Sequence, residues 1–312
     1  MDNSYVQLDD GEFSSLIHIT PEIDEVDNTS KPNIIAENED EKSDLMLDDQ
    51  DQNSMKVFLR VRPINKEEED KSCFKCISQS RVLSFPPLTK STRSMNTRKG
   101  QEFTFSRVFD PTSTQTDVFD SVALPMANEV LNGGNGLLFA YGMTNSGKTH
   151  SILGSLSDPG ILPRCVSYLL EDEKIVGGDK TLSLSYLEIY NNNIYDLLGK
   201  GKKRSLKIQD RGGEISVKGL ASHDLTCAEM AMELLMRGQE KRTTHQTSLN
   251  SSSSRSHSVC TLKISWEEEE ERSGGSALRR RRKQRKESHF WIVDLAGFLF
   301  ILTISSPIFY RK

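Results

Sequence analysis

The chain has 312 residues, 35% of them hydrophobic, enough for one large or two ordinary domains with a core. Its formal charge of −5 is unevenly spread: residues 1–54 carry 16 Asp/Glu against only Lys31 and Lys42, so the remainder is basic, with 38 Lys/Arg against 29 Asp/Glu. It has no uncharged apolar stretch of roughly 18 residues, no basic-then-apolar leader, and only five cysteines without framework spacing. Those absences exclude a transmembrane helix, a secretory signal and a disulfide scaffold. A basic body suits a polyanionic partner such as nucleic acid, an anionic membrane surface or an acidic protein surface, and charge alone does not choose among them.

Residues 1–54 are rich in Asp, Glu, Asn and Ser without apolar periodicity, and are expected to form an acidic disordered tail. Order is expected from Met55, with Val57–Val61 as the first strand, stopped by Arg62-Pro63. Residues 64–100 read as a loop-rich excursion. Within it, Cys73 and Cys76 form a lone C-x-x-C without a second pair, so two ordinary thiols outweigh a metal or redox site. Phe103–Phe105 resumes extended structure, and Asp110-Pro111-Thr112-Ser113 reads as a turn or cap. The apolar spacing from Val118 to Leu131 predicts a helix broken near Pro125 and ended by Gly133-Gly134.

Leu137–Tyr141 reads as a buried parallel strand, and leads into Gly142-Met143-Thr144-Asn145-Ser146-Gly147-Lys148-Thr149. That octapeptide fits the phosphate-cradling pattern G-x-x-x-x-G-K-S/T. Its glycines allow a tight turn with several N–H groups aimed inward. Lys148 is placed to reach the β- and γ-phosphates of a nucleotide, Thr149 to ligate Mg²⁺, and a helix starting at Lys148 to add its N-terminal partial charge.

Farther on, Leu182–Tyr190 alternates as a half-buried strand, and Ile194–Leu198 is a short helix or strand end. Ile208–Leu220 reads as a small β excursion. Ala228–Lys241 reads as an amphipathic helix with Met230, Leu234 and Leu235 inward. Asn250–His257 is a polar loop of hydroxyls with one guanidinium and one imidazole. Phe290–Asp294 is an apolar strand ending in an acid positioned to hold Mg²⁺ or its water, and the Gly297 N–H is placed to contact a γ-phosphate. Between Trp266 and His289, Glu267–Glu271 precedes Arg279–Lys286. A solvated hairpin loop joining two strands is the leading reading there, and nuclear targeting or polyanion binding the alternative. Strands alternating with helices around such a loop indicate an α/β P-loop NTPase with a mixed, mostly parallel central sheet and helices on both faces.

Four motifs in order resemble the kinesin motor domain over Met55 to Gly297. Ala140–His150 is similar to that family's P-loop. Asn250–His257 matches its first switch, N-x-x-S-S-R-S-H. Asp294–Gly297 matches the opening of its second switch, D-L-A-G-S-E. Arg60-Val61-Arg62-Pro63 looks like its first-strand motif, and Tyr186–Tyr190 with Asp196–Leu198 is also typical. The resemblance implies an ATPase using ATP and Mg²⁺ and coupled to microtubules, whose acidic tubulin surface suits the basic body. Nucleic acid is an unlikely partner by this resemblance, membrane insertion is not implied, and the location implied is cytoplasmic and cytoskeletal. It implies that Arg60, Arg62 and Pro63 lie against the adenine. Gly142, Met143, Thr144, Asn145, Ser146, Gly147, Lys148, Thr149 and His150 belong to the phosphate-binding segment, and Thr149, Ser254 and Asp294 attend the metal. Asn250 and Ser253 face the γ-phosphate, Arg255 pairs with the second-switch glutamate, and Gly297 lets that switch move. Thr144-Asn145-Ser146, Gly160–Arg164 and Arg237–Arg242 look most like the mitotic, central-spindle group.

The pattern breaks after Gly297, where Phe298-Leu299 stand in place of Ser-Glu, so Arg255 loses its expected partner. Residues 298–312 read as a non-family apolar tail, and no heptad stalk for coiled-coil dimerisation is present in the sequence. Three expectations follow. Motor activity is weak or absent, with a non-motile nucleotide-binding product as the alternative. An apolar sheet face lies exposed, and Arg255 is left buried and unpaired at a cost of about 3–5 kcal/mol.

Overall fold

A computed structural model describes residues 55–63, 74–85, 100–201, 204–212, 214–243, 255–270 and 282–297. The acidic tail, most of the 64–100 excursion with Cys73, residues 244–254 with the first four serines of the first switch, residues 271–281 and the 298–312 tail lie outside the described residues. The described chain falls into two compact units, one ending at Asp117 and the other starting at Val118.

In the first unit β1 (Phe58–Arg60) pairs in parallel with β5 (Arg107–Phe109), Leu59 opposite Val108. Within the expected loop lie β2 (Phe74–Cys76) and β3 (Arg81–Ser84), which form an antiparallel meander with β4 (Gln101–Thr104), a strand overlapping the extended Phe103–Phe105 that was expected. These strands are three or four residues long, too short for alternation to stand out in the sequence. Ser78 Oγ turns the chain between β2 and β3 by accepting from the Ser80 and Arg81 N–H groups at 3.2 and 3.1 Å. Val61, Val82 and Val108 form the buried centre, with Leu59, Cys76 and Phe105 packed on it. Asp110 makes the expected turn, accepting the Thr112 N–H at 2.8 Å. Thr114 and Asp117 then cap one another at the start of α1 (Gln115–Val118), the Thr114 N–H donating to Asp117 at 2.7 Å and the Asp117 N–H to Thr114 Oγ1 at 3.1 Å.

In the second unit a π-helical turn, Phe119–Ala123, runs into α2 (Leu124–Leu131). Pro125 does not break this helix. Helical backbone runs on through it, and the irregularity is the π turn immediately before it, where a residue without an N–H cannot complete the regular ladder. Gly133, at φ +95°, lets the Gly133 and Gly134 N–H groups return to the carbonyls of Val130 and Glu129. Next come β6 (Gly136–Ala140), α3 (Lys148–Ile152), α4 (Ile161–Leu170), α5 (Glu173–Val176), β7 (Lys180–Tyr190) and β8 (Asn193–Asp196). They are followed by β9 (Ser205–Arg211), β10 (Glu214–Lys218), β11 (His223–Asp224), α6 (Ala228–Thr243), β12 (His257–Glu270) and β13 (Arg282–Asp294).

The sheet order is β10-β9-β8-β7-β12-β13-β6, with β11 on β7. It is mixed, as expected, but parallel pairing within it is confined to β13 with β6, because β7 to β10 and β12 to β13 are joined as hairpins. Among the described residues the helices form one connected layer rather than two: α4 packs on α2, α3, α5 and α6, and α2, α3 and α6 rest on the sheet. The burial alternation agrees. Ser288, Phe290, Ile292 and Asp294 of β13 are buried, while His289, Trp291 and Val293 are only partly covered. On β6, Leu138 is buried but Leu137 and Phe139 are 53% and 44% exposed, so this strand is not buried on both faces. Among the described residues this face is therefore open at β6 and partly covered at β13. Register aligns Thr261, Trp291 and Leu137 in one row across it and Val259, Val293 and Phe139 in the next.

The two charge blocks belong to a hairpin, as expected, but where they are described they extend its paired strands and are not its loop. Past Trp266, β12 and β13 pair only with each other, Glu267 opposite Arg285 and Glu269 opposite Lys283. Lys283 and Glu267 meet at 2.8 Å, and Lys286 and Glu268 at 3.7 Å, so the basic strand is partly neutralised by its own neighbour.

Candidate functional site

The end of β6, the loop after it and the end of β13 converge, because parallel pairing of Asp294 with Ala140 brings both strand ends to the same edge. The loop's backbone matches its sequence. Asn145 has φ +64° and Gly147 φ +99°, and Gly147 caps α3. Asn tolerates that region and Gly enters it without a Cβ penalty. Gly297 passes so close to the loop that an added Cβ would lie 2.7 Å from the Thr144 N and 2.5 Å from its Oγ1. Only glycine fits there without displacing the loop, which ties the second-switch segment directly to the phosphate-binding one.

Lys148 Nζ donates to the carbonyls of Gly142 at 3.0 Å and Met143 at 2.7 Å, which holds its ammonium over the loop. Burial pulls its pKa below the ordinary lysine value, Asp294 opposes that shift and Arg242 adds to it. α3 begins at Lys148 as expected but spans only five residues, so the loop's own N–H groups outweigh a helix dipole.

Thr149 Oγ1 donates to Asp294 Oδ2 at 2.8 Å, joining residues 145 positions apart. The same oxygen accepts from Arg242 Nη1, also at 2.8 Å, in an ion pair whose two side chains are each 2% exposed. Removing one partner of such a pair costs about 3–5 kcal/mol, because the other charge stays buried. Arg242 also donates through Nη2 to the Ser256 carbonyl at 3.1 Å and through Nε to Ser256 Oγ at 3.4 Å. His257 Nδ1 accepts from the Ala296 N–H at 3.1 Å, a second bond between the two switch segments. Burial, then Arg242, pulls the His257 pKa below the usual histidine value, with Asp294 opposing.

Arg255 is exposed, so the penalty expected for burying it unpaired does not arise. The buried arginine at this site is Arg242, near the C-terminal end of α6, which the sequence reading did not single out as a site residue. Its signal in the sequence was slight: one of two adjacent cations, Lys241 and Arg242, in the last turn of a helix that leads towards the first switch. Asn250, Ser253 and Ser254 lie outside the described residues. Met143 is exposed and Ser146 packs against Gly142, while His150 lies in α3. Arg60, Arg62 and Pro63 belong to the first unit, where Arg60 Nη1 donates to Gln115 Oε1 at 2.7 Å.

The donor set fits Mg²⁺. Thr149 and Asp294 supply hard oxygen ligands, and Asp294 Oδ1 is buried with no hydrogen-bond partner among the described residues. An orphaned carboxylate oxygen is the acceptor that a metal-bound water would satisfy. Among the described residues there is no His/Cys/Asp/Glu group of three or more able to hold a metal by itself, so the remaining oxygens must come from elsewhere, as they do from phosphates at nucleotide sites.

A glycine loop between a strand and a helix, facing an aspartate at the end of the neighbouring parallel strand, defines a P-loop NTPase architecture. The chain belongs to the kinesin motor domain family, whose model matches residues 60–299. It is 33% identical over 231 residues to the Drosophila melanogaster kinesin-like protein Klp61F, covering 69% of this chain and 21% of that protein. With mouse KIF18A the identity is 36% over 226 residues, covering 66% and 25%. The chain therefore spans about a quarter or less of the length of these two relatives. A solved structure of a fast kinesin matches with a TM-score of 0.63 and 27% identity, covering 82% of this chain and 70% of that one.

Proposed function

We propose that this chain binds ATP with Mg²⁺ and microtubules as a kinesin motor head, and that its nucleotide turnover is weak. The observation that carries the nucleotide reading is the contact of Thr149 with Asp294, which assembles a metal-binding edge beside Lys148. In that reading Gly142 to Thr149 wrap the phosphates, and Thr149, Asp294 and Ser254 attend the metal. Asn250 and Ser253 face the terminal phosphate. Bound Mg²⁺ would neutralise phosphate charge during in-line transfer to water. Gly297, packed on Thr144, would report loss of the terminal phosphate to the rest of the chain. Arg60, Arg62 and Pro63 are assigned to the base. The local likeness of Thr144–Ser146, Gly160–Arg164 and Arg237–Arg242 supports a mitotic, central-spindle role, with cytoskeletal location.

Weak turnover is supported by Phe298-Leu299, which stand where the family carries Ser-Glu and leave Arg255 without its expected acid. The same substitution favours a second reading, a nucleotide-binding but non-motile product. Steady-state ATP hydrolysis by the purified chain, with and without microtubules, decides between them. Stimulation by microtubules supports the motor head, binding of a fluorescent ATP analogue without stimulation supports the second reading, and no nucleotide binding overturns both.

A further inference from the structure

We propose that Arg242 is a positioning residue that keeps a divalent cation from settling on Asp294 until a nucleotide brings it. This rests on the nucleotide-binding reading of the site. Arg242 Nη1 and Thr149 Oγ1 both hold Asp294 Oδ2, each at 2.8 Å, so that oxygen has two partners already. Among the described residues Oδ1 has none, and it is buried. The acid thus has one acceptor left for the metal or its water, and two cations nearby. Arg242 is paired with it directly, and Lys148 is close enough for Asp294 and Arg242 both to act on its charge.

Of the charges nearest Asp294, a guanidinium and an ammonium outnumber its one carboxylate, the buried Glu188 lying two strands away in the same row. A bare divalent cation approaching it meets net repulsion from buried side chains, where charges are poorly screened. A nucleotide polyphosphate reverses that sign, so metal and nucleotide are expected to enter as one complex. The fork geometry adds a second task. Arg242 reaches Asp294 with Nη1 and Ser256 with Nη2 and Nε, which sets the spacing between the ends of the two switch segments. A lysine would keep the charge but could not span both segments at these positions.

The test is Mn²⁺ binding, read by electron paramagnetic resonance on nucleotide-free full-length chain, beside titration of a fluorescent ATP analogue. Arg242→Gln removes the charge but keeps hydrogen-bonding capacity. It should bind free Mn²⁺ at least about tenfold more tightly than the wild type. A merely structural role would lower binding instead, so a folded Arg242→Gln no tighter for Mn²⁺ than wild type overturns the proposal. Arg242→Lys should keep the wild-type Mn²⁺ affinity while binding the nucleotide about tenfold more weakly. Wild-type nucleotide affinity in Arg242→Lys overturns the spacing role even if the glutamine variant does not fold. Should the wild type bind no nucleotide at all, the functional reading fails, whereas the free-Mn²⁺ comparison still decides the charge argument.

Discussion

Lys148 spends two of its three donors close to home, on two carbonyls of its own loop, and lies in a place where burial weakens its charged form. A phosphate oxygen would offer it a charge-assisted bond in exchange for neutral ones. Lys148→Ala should therefore weaken ATP-analogue binding by about 2–3 kcal/mol, measurable by fluorescence titration, with the thermal midpoint little changed. His257 gives a pH prediction. Its folded pKa is depressed, so the unfolded chain takes up the proton first, and stability falls as pH drops below the ordinary histidine value of about 6.5. That loss levels off once pH passes below the folded pKa. Denaturation of wild type and His257→Asn at pH 7.5 and 5.5 should show the wild-type advantage shrinking at the lower pH. Among site residues, those fixed by backbone demands were legible in the sequence: Gly147 by its positive φ, and Gly297 by its approach to Thr144. Arg242 was not, because nothing in the spacing distinguishes it from its neighbour Lys241 in the same last turn.

At the scale of elements, α6 lies unusually close to β7 at one point. An added Cβ on Gly238 would stand 2.3 Å from Cδ1 of the buried Tyr186 ring. Burial pushes the Tyr186 phenol up to about 12, and its oxygen accepts from Gln239 Nε2 at 3.2 Å, so the ring is held from both sides. Gly238→Ala gains up to about 1 kcal/mol of helix propensity. It should nonetheless lose about 1–3 kcal/mol net in chemical denaturation, because overpacking against a fixed ring outweighs propensity. The expected strand Leu182–Tyr190 appears as β7, and the helix expected over Ala228–Lys241 appears as α6, with Leu234 and Leu235 buried and Met230 half-buried. Long, periodic segments announce themselves in this way. Strands β2 and β3 did not, since strands of three or four residues are specified by their partners.

For the whole molecule, the consequential feature is a sheet with a helical layer on one face and Leu137, Phe139, Trp291 and Val293 on the other, among the described residues. β6 is also the last strand in its sheet, so its outer edge has no strand partner among the described residues. An open edge beside an apolar face favours association between chains. Leu137→Thr together with Phe139→Thr should reduce light scattering at a given concentration and shift the thermal midpoint by only a few degrees, since both side chains are already largely in water. A sharp fall in thermal midpoint would mean that the face is packed in solution.

The sequence by itself determined the phosphate loop, the acid at the end of β13, the family and the uneven charge, because each depends on residue types at fixed local spacing. Tertiary structure decided which arginine pairs with that acid. Arg255 lies in the recognisable motif and is exposed, while Arg242, 52 positions before Asp294, is the one buried against it. The reason is geometric: burial and pairing depend on which chain segments the sheet brings together, and no local pattern around Arg242 encodes where β13 ends.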